Sequence, residues 1–229
     1  MTRTMTRTTT RTTTRTTTRT TTRTTTGTTT RTGRLLVAVA ALAVLVAACG
    51  EDKSAKQLSG LQLDPPPAVA NLALPDASNN KTAFHFAADT GHLLIVYFGY
   101  TQCPDVCPTT LNEVKIALNH LGANASKVDL AMITVDPTRD TGTILTSYVQ
   151  SFVKGAHALR AEEDGGLARV AKGFGATYKV TTDAKGLEEV THSGNLYVVD
   201  HSGKVVLEWP FGLKADAIAT DLDILLGKA

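Results

Sequence analysis

No acidic residue precedes Cys49 in this 229-residue chain, and all 21 Asp and Glu residues follow it. The eight arginines before that cysteine therefore carry the positive balance. With them set aside, 15 basic residues face 21 acidic ones, a net charge of −6 in place of +2. The basic character belongs to the leader and makes no case for nucleic-acid binding by the remainder. The leader also lacks the aromatics that nucleic-acid-binding tracts interleave with their cations. Nor does the apolar run Leu35–Ala48, 14 residues long, reach the roughly 20 residues of an ordinary membrane-spanning helix. Cysteine is scarce: Cys49, Cys103 and Cys107 are the whole complement.

Residues 1–34 repeat T-T-T-R, with arginines at Arg11, Arg15, Arg19, Arg23 and Arg31, and have no apolar residue beyond Met1 and Met5. Such a tract cannot build a core. It reads as disordered, or as the product of a start codon assigned too early. A basic segment followed by a short apolar run fits the h-region of a secretory signal. The run ends Val46-Ala47-Ala48-Cys49, which resembles a bacterial lipobox, in which the cysteine is lipid-modified and becomes the mature N-terminus. An ordinary signal peptide with A-x-A-like cleavage is the alternative. The expected organisation is a signal over 1–48, a lipidated tether over 49–68 that ends in Pro65-Pro66-Pro67, and one domain over 69–229. That domain is long enough to bury a core and is expected on the extracytoplasmic side of the cell membrane.

The domain is organised around Leu93–Leu111, L-L-I-V-Y-F-G-Y-T-Q-C-P-D-V-C-P-T-T-L. The apolar run Leu93–Tyr100, rich in β-branched and aromatic residues, predicts a buried strand of a parallel sheet. After Cys103-Pro104-Asp105-Val106-Cys107-Pro108, Thr109 or Thr110 is expected to cap a helix with apolar positions Leu111, Val114, Ile116, Ala117 and Leu118. Two cysteines thus lie where a strand turns into a helix, and a helix N-terminus favours thiolate. The two prolines fit a turn and a first helical turn without losing hydrogen bonds.

Further on, Val128–Val135 predicts a second parallel strand closed by Asp136-Pro137. Asp140 is expected to cap a helix through Ile144, Leu145, Tyr148 and Phe152, and a further helix is expected near Gly166–Phe174. Asn195–Val199 and Val205–Trp209 flank the hairpin turn Asp200-His201-Ser202-Gly203. An amphipathic helix holds Ala215, Ile218, Leu222, Leu225 and Leu226, and a pair of short strands is expected within 69–89. The expected fold is α/β and thioredoxin-like, a central mixed sheet flanked by helices with an N-terminal strand extension.

Three residues separate Cys103 from Cys107, whereas a thioredoxin-type dithiol is C-x-x-C. The run Tyr97-Phe98-Gly99-Tyr100-Thr101-Gln102-Cys103-Pro104-Asp105-Val106-Cys107-Pro108 resembles the signature of the SCO/SenC family of copper-binding assembly factors for cytochrome oxidase. In an exported protein two cysteines often make a structural disulfide. A bridge closing so short a loop restrains little of the unfolded chain, so reversible thiol chemistry or metal binding is the better reason for the pair.

His192, in Val190-Thr191-His192-Ser193-Gly194, precedes the strand Asn195–Val199. In a thioredoxin-like fold this loop faces the cysteine pair, and redox enzymes place a cis-proline there. The chain has no proline between Pro137 and Pro210. The resemblance implies that Cys103, Cys107 and His192 bind copper. Soft sulfur donors with an imidazole suit Cu(I), although zinc would accept the same atoms with a water. It further implies delivery to the CuA-carrying subunit of cytochrome c oxidase, with another copper chaperone or a thiol reductase as a further partner; no nucleic acid is expected, on the charge balance above. The competing functions are an extracytoplasmic thiol–disulfide oxidoreductase and a metal-free structural lipoprotein.

Asp136 ends the strand expected beside the cysteine strand and matches the family's V-D-P segment. It is a candidate to tune the metal without ligating it, or else a simple helix-approach residue. Many family members have Asp before the histidine, where this chain has Thr191. His85, His92, His120, His157 and His201 have no spacing relation to another ligand and read as surface or turn positions. Trp209 and Tyr148 read as core.

Overall fold

The computed structural model describes residues 57–227 except 164, 183 and 185–187. The signal-like run, Cys49 and the first part of the tether lie outside the described residues. No helix among the described residues is long and apolar enough to cross a membrane.

Among the described residues nine strands and four α-helices follow in order: β1 Ala73–Asp76, β2 Thr82–His85, β3 Leu93–Gly99, α1 Val106–Leu121, β4 Val128–Thr134, α2 Gly142–Phe152, β5 His157–Leu159, α3 Gly166–Phe174, β6 Tyr178–Thr182, β7 Glu188–His192, β8 Leu196–Val199, β9 Val205–Trp209 and α4 Ala215–Leu226. Seven strands form one mixed sheet in the order β2-β1-β5-β4-β3-β8-β9, and β6 pairs with β7 in a separate hairpin. β3, β4 and β5 run parallel, with Leu93 opposite Val128 and Gly99 opposite Thr134; β8 is antiparallel to β3 and β9 to β8. The crossover from β3 through α1 to β4 is thus the expected βαβ unit.

Every residue of β3 is buried, and its alternation divides the core between the two faces of the sheet. Leu93, Ile95 and Tyr97 join Leu111 and Val114 of α1, Leu145 and Val149 of α2, and Ile218 and Leu222 of α4. Leu94, Val96 and Phe98 pack with Leu167, Val170 and Phe174 of α3 and with Tyr197. Burial of one such aliphatic or aromatic side chain stabilises by about 1.5–3 kcal/mol.

Several local expectations are corrected by groups distant in sequence. Thr109 and Thr110 do not cap α1; the helix begins at Val106 with Asp105 at its cap position. The reason is a sulfur: the Cys107 N–H donates to Cys103 Sγ at 3.3 Å, and Pro108 has no N–H to satisfy. Asp140 does not cap α2. Thr141 Oγ1 accepts from Ile144 N at 3.3 Å, while Asp140 is fully buried and receives the Thr101 N–H at 3.0 Å and the Thr134 hydroxyl at 2.6 Å.

His157 is not a turn residue. It lies in β5 with Nδ1 2.7 Å from Asp76 Oδ2. Burial pushes the Asp76 carboxyl up, but bonds from Ser78, His157 and Ala158 outweigh it and hold the group below its ordinary value.

The segment read as a spacer is docked over its second half. Leu61 bridges to Glu208 and Ala68 to Lys204. Asp221, buried in α4, accepts the N–H groups of Ser59 and Gly60 and the indole N–H of Trp209 at 2.8 Å. A buried carboxylate is costly unless its oxygens are satisfied, and here three donors satisfy it.

Candidate metal centre

The end of β3 delivers the cysteine loop. Gly99 terminates the strand, and a Cβ at that position would lie 3.0 Å from Cys107 Sγ and 2.7 Å from Tyr97 Cε1. Its φ is unexceptional; space, not backbone freedom, calls for glycine there. Cys107, fully buried in the first turn of α1, therefore packs directly under the strand end, while Cys103 in the preceding loop is 8 % exposed. Both thiols are free.

His192 comes from the last position of β7, paired with Tyr178 of β6. The sequence reading placed it in a loop; in the structure a strand carries it. Its Nε2 lies 3.5 Å from Cys107 Sγ, and the donor atoms of Cys103, Cys107 and His192 all fall within 4.8 Å of one another. His192 Nδ1 is 3.0 Å from the Ser193 carbonyl. A carbonyl oxygen only accepts, so Nδ1 carries the proton and Nε2 presents its lone pair to the sulfurs. Burial pulls the imidazole pKa down, against a smaller opposing effect of that carbonyl, which keeps the ring neutral as a metal ligand requires.

The surroundings are aromatic. Tyr97 and Tyr100 stand edge-on to the His192 ring at 6.1 and 5.8 Å. Burial pushes the Cys107 thiol up to about 12, in spite of contacts with Tyr97 and the Tyr100 backbone that favour the thiolate. The Tyr97 hydroxyl is buried without a hydrogen-bond partner among the described residues, and Cys107 and Thr110 are its polar neighbours. The Tyr148 hydroxyl on α2 is likewise buried and unpartnered among the described residues. A cleft lined by Tyr100, Cys103, Pro104, Val106, Thr191 and His192 opens the site to one side.

Asp136, expected near the site, is 2 % exposed and bonds to Arg139. It is not among the donors that converge with the sulfurs; the Arg139 guanidinium it holds lies 5.9 Å from the Tyr100 ring centroid. Arg139 and Glu188, whose side chains meet at 3.1 Å, were not singled out by the sequence reading. Arg139 follows Asp136 at i+3, but nothing local in the sequence connects either residue to Glu188.

Two soft sulfur donors and one neutral imidazole, oriented from the rear by a carbonyl, fit a thiophilic metal ion. The fold and site together define a thioredoxin-like α/β domain in which a histidine faces a C-x3-C pair. A model of the SCO1/SenC family matches residues 77–227. A Stutzerimonas stutzeri protein named for copper binding is 32% identical over 198 residues, 85% of this chain and 96% of that one. Among solved structures, copper-bound ScoI of Bradyrhizobium japonicum aligns with a TM-score of 0.58 and 30% identity over 66% of this chain and 95% of that one. Apo Sco1 of Thermus thermophilus aligns with a TM-score of 0.63 and 28% identity over 74% and 97%. The chain belongs to the SCO1/SenC family.

Proposed function

We propose that this protein is a copper chaperone tethered on the extracytoplasmic side of the cell membrane. It binds copper through Cys103, Cys107 and His192 and passes it to the CuA centre of cytochrome c oxidase. The observation that carries the reading is the convergence of the three donor atoms within 4.8 Å, with the imidazole already in the ligating tautomer. Copper here is cargo. Its binding displaces the thiol protons, so a buried thiol with a high pKa ionises in the presence of the metal. The oxidase as recipient rests on the family resemblance of the Tyr97–Pro108 signature and on membership of the family.

The test is a Cu(I) titration of the chain with its thiols reduced and again with Cys103 and Cys107 oxidised to a disulfide. The reduced form is expected to take up one ion per chain and the oxidised form none at the same concentrations. Equal uptake by the two forms would remove the cysteines from the site.

The membrane tether makes a separate expectation, because V-A-A-C follows a basic segment and a short apolar run. Cys49→Ser is expected to abolish lipid labelling and to release the protein from membranes, each buried acyl methylene being worth about 0.8 kcal/mol of anchoring. Labelling that persists in the variant would sink the lipoprotein reading.

A second reading has one observation in its favour. The two thiols are free and adjacent, as an oxidoreductase acting on the oxidase's own cysteines would need. The low exposure of both sulfurs argues the other way, and His192 separates the two functions.

A further inference from the structure

Among the described residues the main sheet holds His192 from its C-terminal side alone: after three intervening residues the chain enters β8, which pairs with β3. The cysteines follow β3, whereas His192 ends a hairpin whose strands pair only with each other among the described residues. A lone two-stranded hairpin is marginal in water. β6 and β7 are mostly exposed, and Val190 is their buried apolar anchor. With the exit of β7 fixed by β8, the approach of imidazole to thiols depends further on whatever holds the start of the strand.

The segment after β4 reaches both the cysteine loop and the hairpin. On one side the Asp140 carboxylate takes the Thr101 N–H at 3.0 Å and its hydroxyl at 2.5 Å, two residues before Cys103. On the other, Arg139 Nε lies 3.1 Å from Glu188 Oε2 at the first position of β7. The same Nε–H is shared with Asp136 Oδ2, and Asp136 Oδ1 accepts the Arg139 backbone N–H at 3.4 Å. The guanidinium also lies over Tyr100, whose ring stands at 89° to that of His192. An exposed ion pair alone is worth little. This one is aimed by a carboxylate buried to 2 % exposure, which leaves the arginine little freedom.

We propose that Arg139 is a positioning residue for the metal site. Through Glu188 and Tyr100 it ties the histidine-bearing strand to the cysteine loop and sets the distance between His192 and the sulfurs, and Asp136 aims it. The proposal rests on the reading of Cys103, Cys107 and His192 as the copper ligands.

The test uses Glu188→Gln in the full chain, a change at a partly exposed side chain that leaves no buried charge unpaired. Two quantities are read: amide exchange in the metal-free protein, and Cu(I) affinity by competition. Exchange at Val190 and Thr191 is expected to rise about tenfold while β3 and β4 stay as in the wild type. Copper affinity is expected to fall about tenfold, the low end of the 10–100-fold typical of groups that orient ligands. Arg139→Gln with Glu188→Gln should be no worse than Arg139→Gln alone, because a tie acts as one unit.

Wild-type exchange in the hairpin, uniform acceleration across β3, β4 and the hairpin, unchanged copper affinity in a variant with a loosened hairpin, or additive losses in the double variant would each overturn the tie. The two readings fail separately. A wild type that binds no copper removes the proposed function, and the hairpin exchange still decides the tie. A wild type that binds copper beside a Glu188→Gln variant altered in neither quantity removes the tie alone.

Discussion

His192→Ala is expected to lower copper affinity by more than about 100-fold and to block oxidase maturation, while Cys103 and Cys107 still form and break their disulfide. The imidazole is the only nitrogen donor within reach of the sulfurs among the described residues. Its loss leaves two thiolates with an incomplete coordination sphere, and removing a ligand should exceed the 10–100-fold effect of groups that merely orient one. The dithiol should be much less sensitive, because the ring meets Cys107 through one long hydrogen bond, the thiol donating to Nε2 at 3.5 Å, and not through a covalent bond. A change in reduction potential within about 30 mV, a tenfold change in the equilibrium, is expected. An oxidoreductase would show another pattern, its activity following the potential of the cysteines with little dependence on this ring. Copper affinity, dithiol potential and oxidase rescue should be read on one variant. Normal copper binding with full rescue by His192→Ala would make the three-donor site wrong.

The parts of the fold legible in the sequence are those whose signal is contiguous. β3 is an unbroken apolar run entering a turn-rich cysteine motif, and β4 and the β8–β9 hairpin announce themselves in the same way. The helix α3, with its apolar stripe bounded by glycines at both ends, was also readable. The grouping of Cys103, Cys107 and His192 was read from the resemblance to the SCO/SenC signature and from the loop that faces the cysteines in a thioredoxin-like fold. The structure brings their donor atoms within 4.8 Å of one another.

What escaped depends on partners far along the chain. β6 and β7 read Y-K-V-T-T and E-E-V-T-H, too polar to show a buried face, because the hairpin is held by a few contacts such as Arg139 with Glu188. The start of α1 was misjudged because a cysteine sulfur, not a threonine hydroxyl, receives the first-turn N–H. The pairing of His157 with Asp76 joins residues 81 apart. Asp221 sits within an apolar helical stripe, and only Trp209 and the docked Ser59–Gly60 segment explain its burial.

Gly99→Val is expected to damage the site and the fold together. Gly99 ends β3 opposite Thr134 and accepts the Val135 N–H at 2.9 Å, so its backbone cannot retreat without breaking the sheet where the site begins. The first added carbon would stand 2.7 Å from Tyr97 Cε1, 3.0 Å from Cys107 Sγ and 3.1 Å from Met132 Cε. Tyr97, Cys107 and Met132 are each fully buried, so none can swing into solvent. Overpacking of this kind costs about 1–3 kcal/mol, and a domain of this size loses about 2–4 °C in Tm per kcal/mol. The movable neighbour is the sulfur at the head of α1, and pushing it aside separates it from His192. Cu(I) affinity should therefore fall even in the fraction that remains folded, and Gly99→Ala should show a smaller loss of both quantities. Calorimetry beside copper competition on the two variants checks the order wild type, alanine, valine. A valine variant that melts and binds copper as the wild type does would show that Cys107 does not need the space beneath the strand end.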